Sequence, residues 1–113
     1  MKIEWAYLRK GWASCVKAQS VFDKTKTVIQ ETADARKEQV ADEQAWKLLQ
    51  SAEEIVVGRG KKFLSFKPTA ENKTEILTNC LGRTGNLRAP AIRIGKKYIV
   101  GFTEDMYAQY LGK

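Results

Sequence analysis

Apolar residues recur at two different periods along the chain, and the switches between the two mark its elements. From Lys2 to Leu8, the apolar side chains Ile3, Trp5 and Tyr7 alternate with Glu4 until Leu8 breaks the pattern. Alternation of this kind is the signature of a strand with one buried face. From Ser14 to Phe22 the spacing lengthens to that of a helix, with Cys15, Ala18 and Phe22 on one side and Lys17 outside. The helix is expected to open near Ser14, a residue type suited to the N-cap. Thr25-Lys26-Thr27-Val28-Ile29 is rich in β-branched residues and predicts a second strand. Helical spacing returns from Asp42, where Ala45, Leu48, Leu49 and Ala52 share a face flanked by Trp46.

The stretch from Glu54 to Phe66 supports two descriptions. Ile55-Val56-Val57 and Phe63-Leu64-Ser65-Phe66 look extended, whereas Gly58 and Gly60 punctuate a turn. Further on, Ile76, Leu77, Cys80 and Leu81 predict a helix over 71–81, ended by Gly82 or Gly85. Pro90 closes the loop Asn86-Leu87-Arg88-Ala89-Pro90 and opens a strand over 91–94. Gly95-Lys96-Lys97 then turns the chain into a return strand over 98–100, completing a hairpin. Thr103 caps a last helix, with Glu104 and Asp105 in its first turn, where the helix dipole favours acids. The order is β-α-β-α, an irregular stretch, then α-β-β-α. An opening βαβ unit implies a parallel pair with a right-handed crossover, and the closing hairpin adds antiparallel strands. The expected fold class is therefore α/β, with a four-stranded mixed sheet and an inserted helical segment.

Composition narrows what such a domain can do. The 113 residues fit a single domain over 1–113, with no internal repeat. Apolar runs reach only three or four residues, far short of the roughly 20 that span a bilayer, so no membrane association is expected. The start Met1-Lys2-Ile3-Glu4-Trp5 lacks the apolar core of a secretory signal, which makes the expected location cytoplasmic. There is no histidine. Its absence removes the commonest general base and metal ligand, and excludes Ser-His-Asp and Cys-His mechanisms within the chain. With only Cys15 and Cys80 as soft ligands, no metal site is expected, and any chemistry must run on a thiol, carboxylates, lysines or arginines.

The net charge of +7 is concentrated in the second half, where eleven Lys/Arg face five Asp/Glu over residues 54–113. Such an excess suits an anionic ligand, an acidic partner or a solvated face. Helix-turn-helix spacing, an aromatic-interleaved basic motif and a zinc knuckle are all missing, so nucleic acid is not the expected partner. Gly58-Arg59-Gly60-Lys61-Lys62 lacks the length and the terminal Lys-Ser/Thr of a phosphate loop and reads as a turn.

The segment from Trp5 to Ala18, containing Gly11-Trp12-Ala13-Ser14-Cys15-Val16-Lys17-Ala18, resembles the first strand, redox loop and helix of Spx and related glutaredoxin-like proteins of the arsenate-reductase family. Gly85-Asn86-Leu87-Arg88-Ala89-Pro90-Ala91-Ile92-Arg93-Ile94-Gly95 and Val100-Gly101-Phe102-Thr103-Glu104-Asp105 are similar to that family's proline loop, hairpin and last helix. The resemblance covers nearly the whole chain. It implies a thioredoxin-like fold, a cis Pro90, and a backbone before that proline able to pair with a bound peptide or glutathione. Two departures matter. On this register the first cysteine of the family's C-x-x-C motif, which carries the attacking thiolate, falls on Trp12, and only the second remains, as Cys15. The family's Arg-Pro pair is split here by Ala89 between Arg88 and Pro90. Arsenate reduction in the usual form is not expected.

Cys15 is the candidate catalytic residue. In the first turn of a helix a thiolate would be favoured, and the family geometry that the resemblance implies would bring Arg88 and Arg9 close enough to add positive charge; set on the apolar face with Ala18 and Phe22, it would be an inert core thiol. Cys80 shares a face with Ile76 and Leu77 and reads as core. Trp12, Arg88, Ala89 and Pro90 are the candidate substrate- or partner-binding residues, with Trp12 either a surface anchor or a lid over Cys15. Arg83, Arg93, Lys96 and Lys97 add charge around the loop, although alternation sends Arg93 and Lys97 outward. Two functions follow. One is a degenerate adaptor or regulatory module that binds a protein. The other is a monothiol glutaredoxin-like redox protein using Cys15, acting on a thiol or an oxyanion, with no resident cofactor and glutathione as its co-substrate.

Overall fold

A computed structural model describes residues 2–59, 61–82 and 85–111. The chain runs β1 (Lys2–Ile3), β2 (Trp5–Leu8), α1 (Ala13–Lys24), β3 (Val28–Ile29), β4 (Thr32–Asp34), α2 (Asp42–Leu49), β5 (Glu54–Arg59), β6 (Lys62–Phe66), α3 (Lys73–Cys80), β7 (Ala91–Ile94), β8 (Lys97–Val100) and α4 (Glu104–Leu111). The class is α/β with a mixed sheet, but the main sheet has six strands rather than four, in the order β4-β2-β7-β8-β5-β6. A second, two-stranded sheet pairs β1 with β3.

The two additional strands come from the stretch that sequence left ambiguous. β5 lies parallel to β8, and β6 folds back antiparallel on β5 with Val57 opposite Leu64. Gly58, expected in a turn, is inside β5. A Cβ there would meet Thr103 Cγ2 at 3.0 Å and Met106 Cε at 3.3 Å, so the glycine lets the start of α4 approach the strand. Gly60 lies outside the described residues.

The second predicted strand is also displaced. Thr25 ends α1, where its hydroxyl donates to the Val21 carbonyl at 2.8 Å, and Lys26 adopts a φ of 54°. The threonines that suggested extended chain therefore finish a helix. Strand pairing begins only at Val28, against β1, and resumes at Thr32, parallel to β2. The first predicted strand breaks at Glu4, whose carboxylate accepts the Gly95 N–H. The last helix starts as expected: Thr103 Oγ1 accepts the Met106 N–H at 3.0 Å.

Alternation along the strands splits the core in two. Ile55, Val57, Tyr98 and Val100 pack with Leu49, Ile76 and Cys80 from α2 and α3. Val56, Ile92 and Ile99 pack on the other face with Ala18 and Phe22 from α1 and Met106, Tyr107 and Leu111 from α4. Burying each large side chain contributes about 1.5–3 kcal/mol, so both helical layers contribute to holding the sheet. No helix among the described residues is long and apolar enough to cross a membrane.

Candidate functional site

The loop after β2 brings three chemically distinct side chains together. Trp12 is the N-cap residue of α1, with φ −80° and ψ 136°, so the helix opens one residue before Ser14 and has no side-chain cap. That start puts Cys15 in the first turn and turns it inward, where it is 6% exposed. The Arg9 N–H donates to Cys15 Sγ at 3.3 Å. Burial pushes the Cys15 thiol up from its ordinary value, and the Arg9 amide and guanidinium pull only partly the other way. Arg9, not Arg88, supplies the positive charge that this thiol senses.

Trp12 points outward and is 45% exposed. The Arg9 guanidinium sits 4.4 Å from the indole centroid, a cation–π contact that holds both groups at the surface. Arg88 is held by different partners. Its Nη1 donates to the carbonyls of Gly58 and Asn79, at 3.1 Å each. Its Nη2 lies 3.1 Å from where a Cβ on Gly101 would stand, and Gly101 has a φ of 82°. Asn79 is shared, because its Oδ1 also accepts a bond from Arg59. Burial lowers the Arg88 pKa, and the neighbouring Cys80 acts in the opposite direction. Cys80 is fully buried, and burial pushes its thiol up to about 12.

The Ala89–Pro90 bond is cis, and both residues are buried. The Pro90 carbonyl accepts the Gly101 N–H at 2.7 Å, and the Arg88 N–H donates to the Cys80 carbonyl at 2.8 Å. The Ala89 N–H has no backbone acceptor among the described residues. A cleft of about 290 Å³ opens in front of this loop, lined by Tyr7, Arg9, Trp12, Leu87, Arg88 and Ala89. Three of the four binding candidates, Trp12, Arg88 and Ala89, thus meet on one cleft, while Pro90 is buried and does not line it. Cys15 opens on a different one, of about 340 Å³, with Arg9, Val16, Gln19, Thr32 and Asp34. Arg9 lines both.

Tyr7 reads in the sequence only as core. Its ring stacks on Trp5 at 5.6 Å between centroids, and its hydroxyl donates to the Glu38 carbonyl at 2.6 Å, so it forms a fixed wall of the first cleft. A hydroxyl-bearing ring two residues before Arg9 was the signal available for it. The other basic residues do not converge. Arg93 is exposed and donates to the Gly95 carbonyl at 3.0 Å, while Lys96 and Lys97 pair with Glu53 and Glu54 at 3.4 and 3.5 Å. Arg83 lies outside the described residues. Both cysteines are free. Among the described residues no group of three or more His, Cys, Asp or Glu is placed to hold a metal ion. No protein-family model matches the chain, and no curated protein matches it.

Proposed function

We propose that the chain is a thioredoxin-like protein of the arsenate-reductase/Spx type that works as a binding module without thiol exchange. In this proposal the cleft between Trp12 and Ala89 receives an extended segment of a partner protein. The fold assignment draws support from β4-β2-β7-β8, where the first pair is parallel with α1 between its strands and the remaining pairs are antiparallel. The cis Ala89–Pro90 bond ahead of the hairpin agrees with it. The observation that carries the functional assignment is the state of Cys15: a buried thiol, raised by burial, on a different cleft from the exposed indole of Trp12. Reactivity needs a thiolate and access, and burial works against both. In the first cleft, by contrast, an aromatic anchor, a guanidinium and an amide with no backbone acceptor among the described residues are the groups that peptide recognition uses.

Affinity capture with the tagged chain and its Cys15→Ser and Trp12→Ala variants tests this. Cys15→Ser should retain the wild-type partner and Trp12→Ala should lose it. A partner lost with Cys15→Ser, or released only by reductant, would transfer the function to the thiol.

One observation favours that second assignment. Cys15 lines a cleft beside Arg9, so a monothiol glutaredoxin-like exchange has a place to occur. There the Cys15 thiolate would attack glutathione disulfide, forming a mixed disulfide and expelling one glutathione thiolate. A Cys15–glutathione adduct detected by mass spectrometry on the native protein, absent after Cys15→Ser, is the result that would establish it.

A further inference from the structure

The main sheet ends in two different ways. β4 is short, and the Asp34 carbonyl already accepts the Lys37 and Glu38 amides at 2.9 Å. β6 is longer, at five residues, and pairs only with β5, so among the described residues no strand lies along its outer edge. Phe63 packs edge-on against Tyr110 of α4 at 6.2 Å, and Phe66 packs against the core on the α2/α3 side. These two rings anchor the strand from opposite faces. Leu64 between them is 46% exposed. An open edge that carries an exposed apolar side chain is a template for another strand.

Charge selects the occupant. Between Lys61 and Ala70 there are three lysines, Lys61, Lys62 and Lys67, and no acidic residue. All three are exposed, and none forms a salt bridge among the described residues. Glu54, the first residue of β5, accepts a hydrogen bond from Ser65 of β6 and pairs with Lys97, and the preceding Glu53 pairs with Lys96. A second copy of the chain, pairing antiparallel about Leu64, would set Lys61 opposite Lys67 at both ends, and like charges directly across a ladder are destabilising. A strand with acidic ends meets no such repulsion.

We propose that the outer edge of β6 receives an extended acidic segment of a partner protein as a seventh strand. Backbone hydrogen bonds along Phe63–Phe66 supply affinity, Leu64 takes an apolar side chain, and carboxylates reach the lysines at either end. This site lies apart from the cleft at Trp12.

The test is fluorescence anisotropy of a labelled peptide of about nine residues, with a valine–threonine core and glutamates at both ends, titrated with the full chain. Saturable binding is expected. The double variant Lys62→Glu/Lys67→Glu should weaken it about tenfold or more, and so should raising salt from about 0.05 to about 0.5 M. Proline in place of the peptide's central valines should abolish it, because proline cannot donate to a ladder; this change leaves the protein untouched, so its outcome is independent of how any variant folds. Trp12→Ala should bind as the wild type does. Equal binding of the proline peptide, no binding at about 1 mM, or a dimer in sedimentation that Leu64→Lys disrupts would each overturn the proposal.

Discussion

Arg9 and Arg88 line the same cleft, yet they are held in opposite ways. Arg9 lies over an exposed indole and forms no salt bridge among the described residues, so its charge faces outward. Arg88 sends its guanidinium into the fold, where it joins the end of β5 to α3 through the carbonyls of Gly58 and Asn79. The two cysteines follow the same division. Cys15 sits beside the first arginine and lines a cleft; Cys80 sits beside the second and is sealed. Position in a basic loop therefore does not make an arginine a ligand. What decides is whether its donors already have acceptors inside the protein.

The contrast can be broken most sharply by removing each arginine. Arg88→Met leaves two buried carbonyls without their donor and should destabilise the chain by about 2–4 kcal/mol in denaturant titration. Arg9→Met removes a surface cation–π contact and should cost about 1 kcal/mol or less. Equal costs would mean that Arg88 is not structural. A smaller effect is expected of Gly101→Ala. It forces a side chain onto a φ of 82° and against Arg88 Nη2, and a loss of about 1–3 kcal/mol should show as a lowered Tm. Trp12→Ala should leave stability within about 1 kcal/mol, since the ring is half exposed, while eliminating capture of the partner.

Alkaline pH sharpens the comparison of the thiols. Below the free thiol value of about 8.5, Cys80 is protonated in both folded and unfolded chains and stability does not depend on it. Between there and about 12 the folded chain keeps a proton that the unfolded chain has lost, so this contribution falls as pH rises. Cys80→Ala should flatten that alkaline decline in equilibrium unfolding, and an unchanged slope would assign the decline to other groups.

Much of this was legible in the pattern of residues. The hairpin over 91–100, the Thr103 cap and the packing of Cys80 follow from local spacing, whereas the cis Pro90 was implied only by the family resemblance. The sixfold sheet did not, because a parallel neighbour leaves no local mark: Glu54–Arg59 finds β8 some forty residues later. Thr25 and Thr27 misled for a related reason, since β-branched residues favour extended chain, while a threonine hydroxyl can instead satisfy a helix carbonyl. The inward turn of Arg88 was equally hidden. Its acceptors, at positions 58 and 79, are set by how β5 and α3 meet.

The central claim is that Cys15 is a protonated, sheltered thiol at neutral pH. The direct measurement is the rate of iodoacetamide modification at Cys15 in the native chain, followed peptide by peptide across pH. The rate should be slow at neutral pH and rise with a midpoint above about 8.5, with Cys80 silent until denaturant is added. Rapid modification at neutral pH, with a midpoint well below that value, would contradict it.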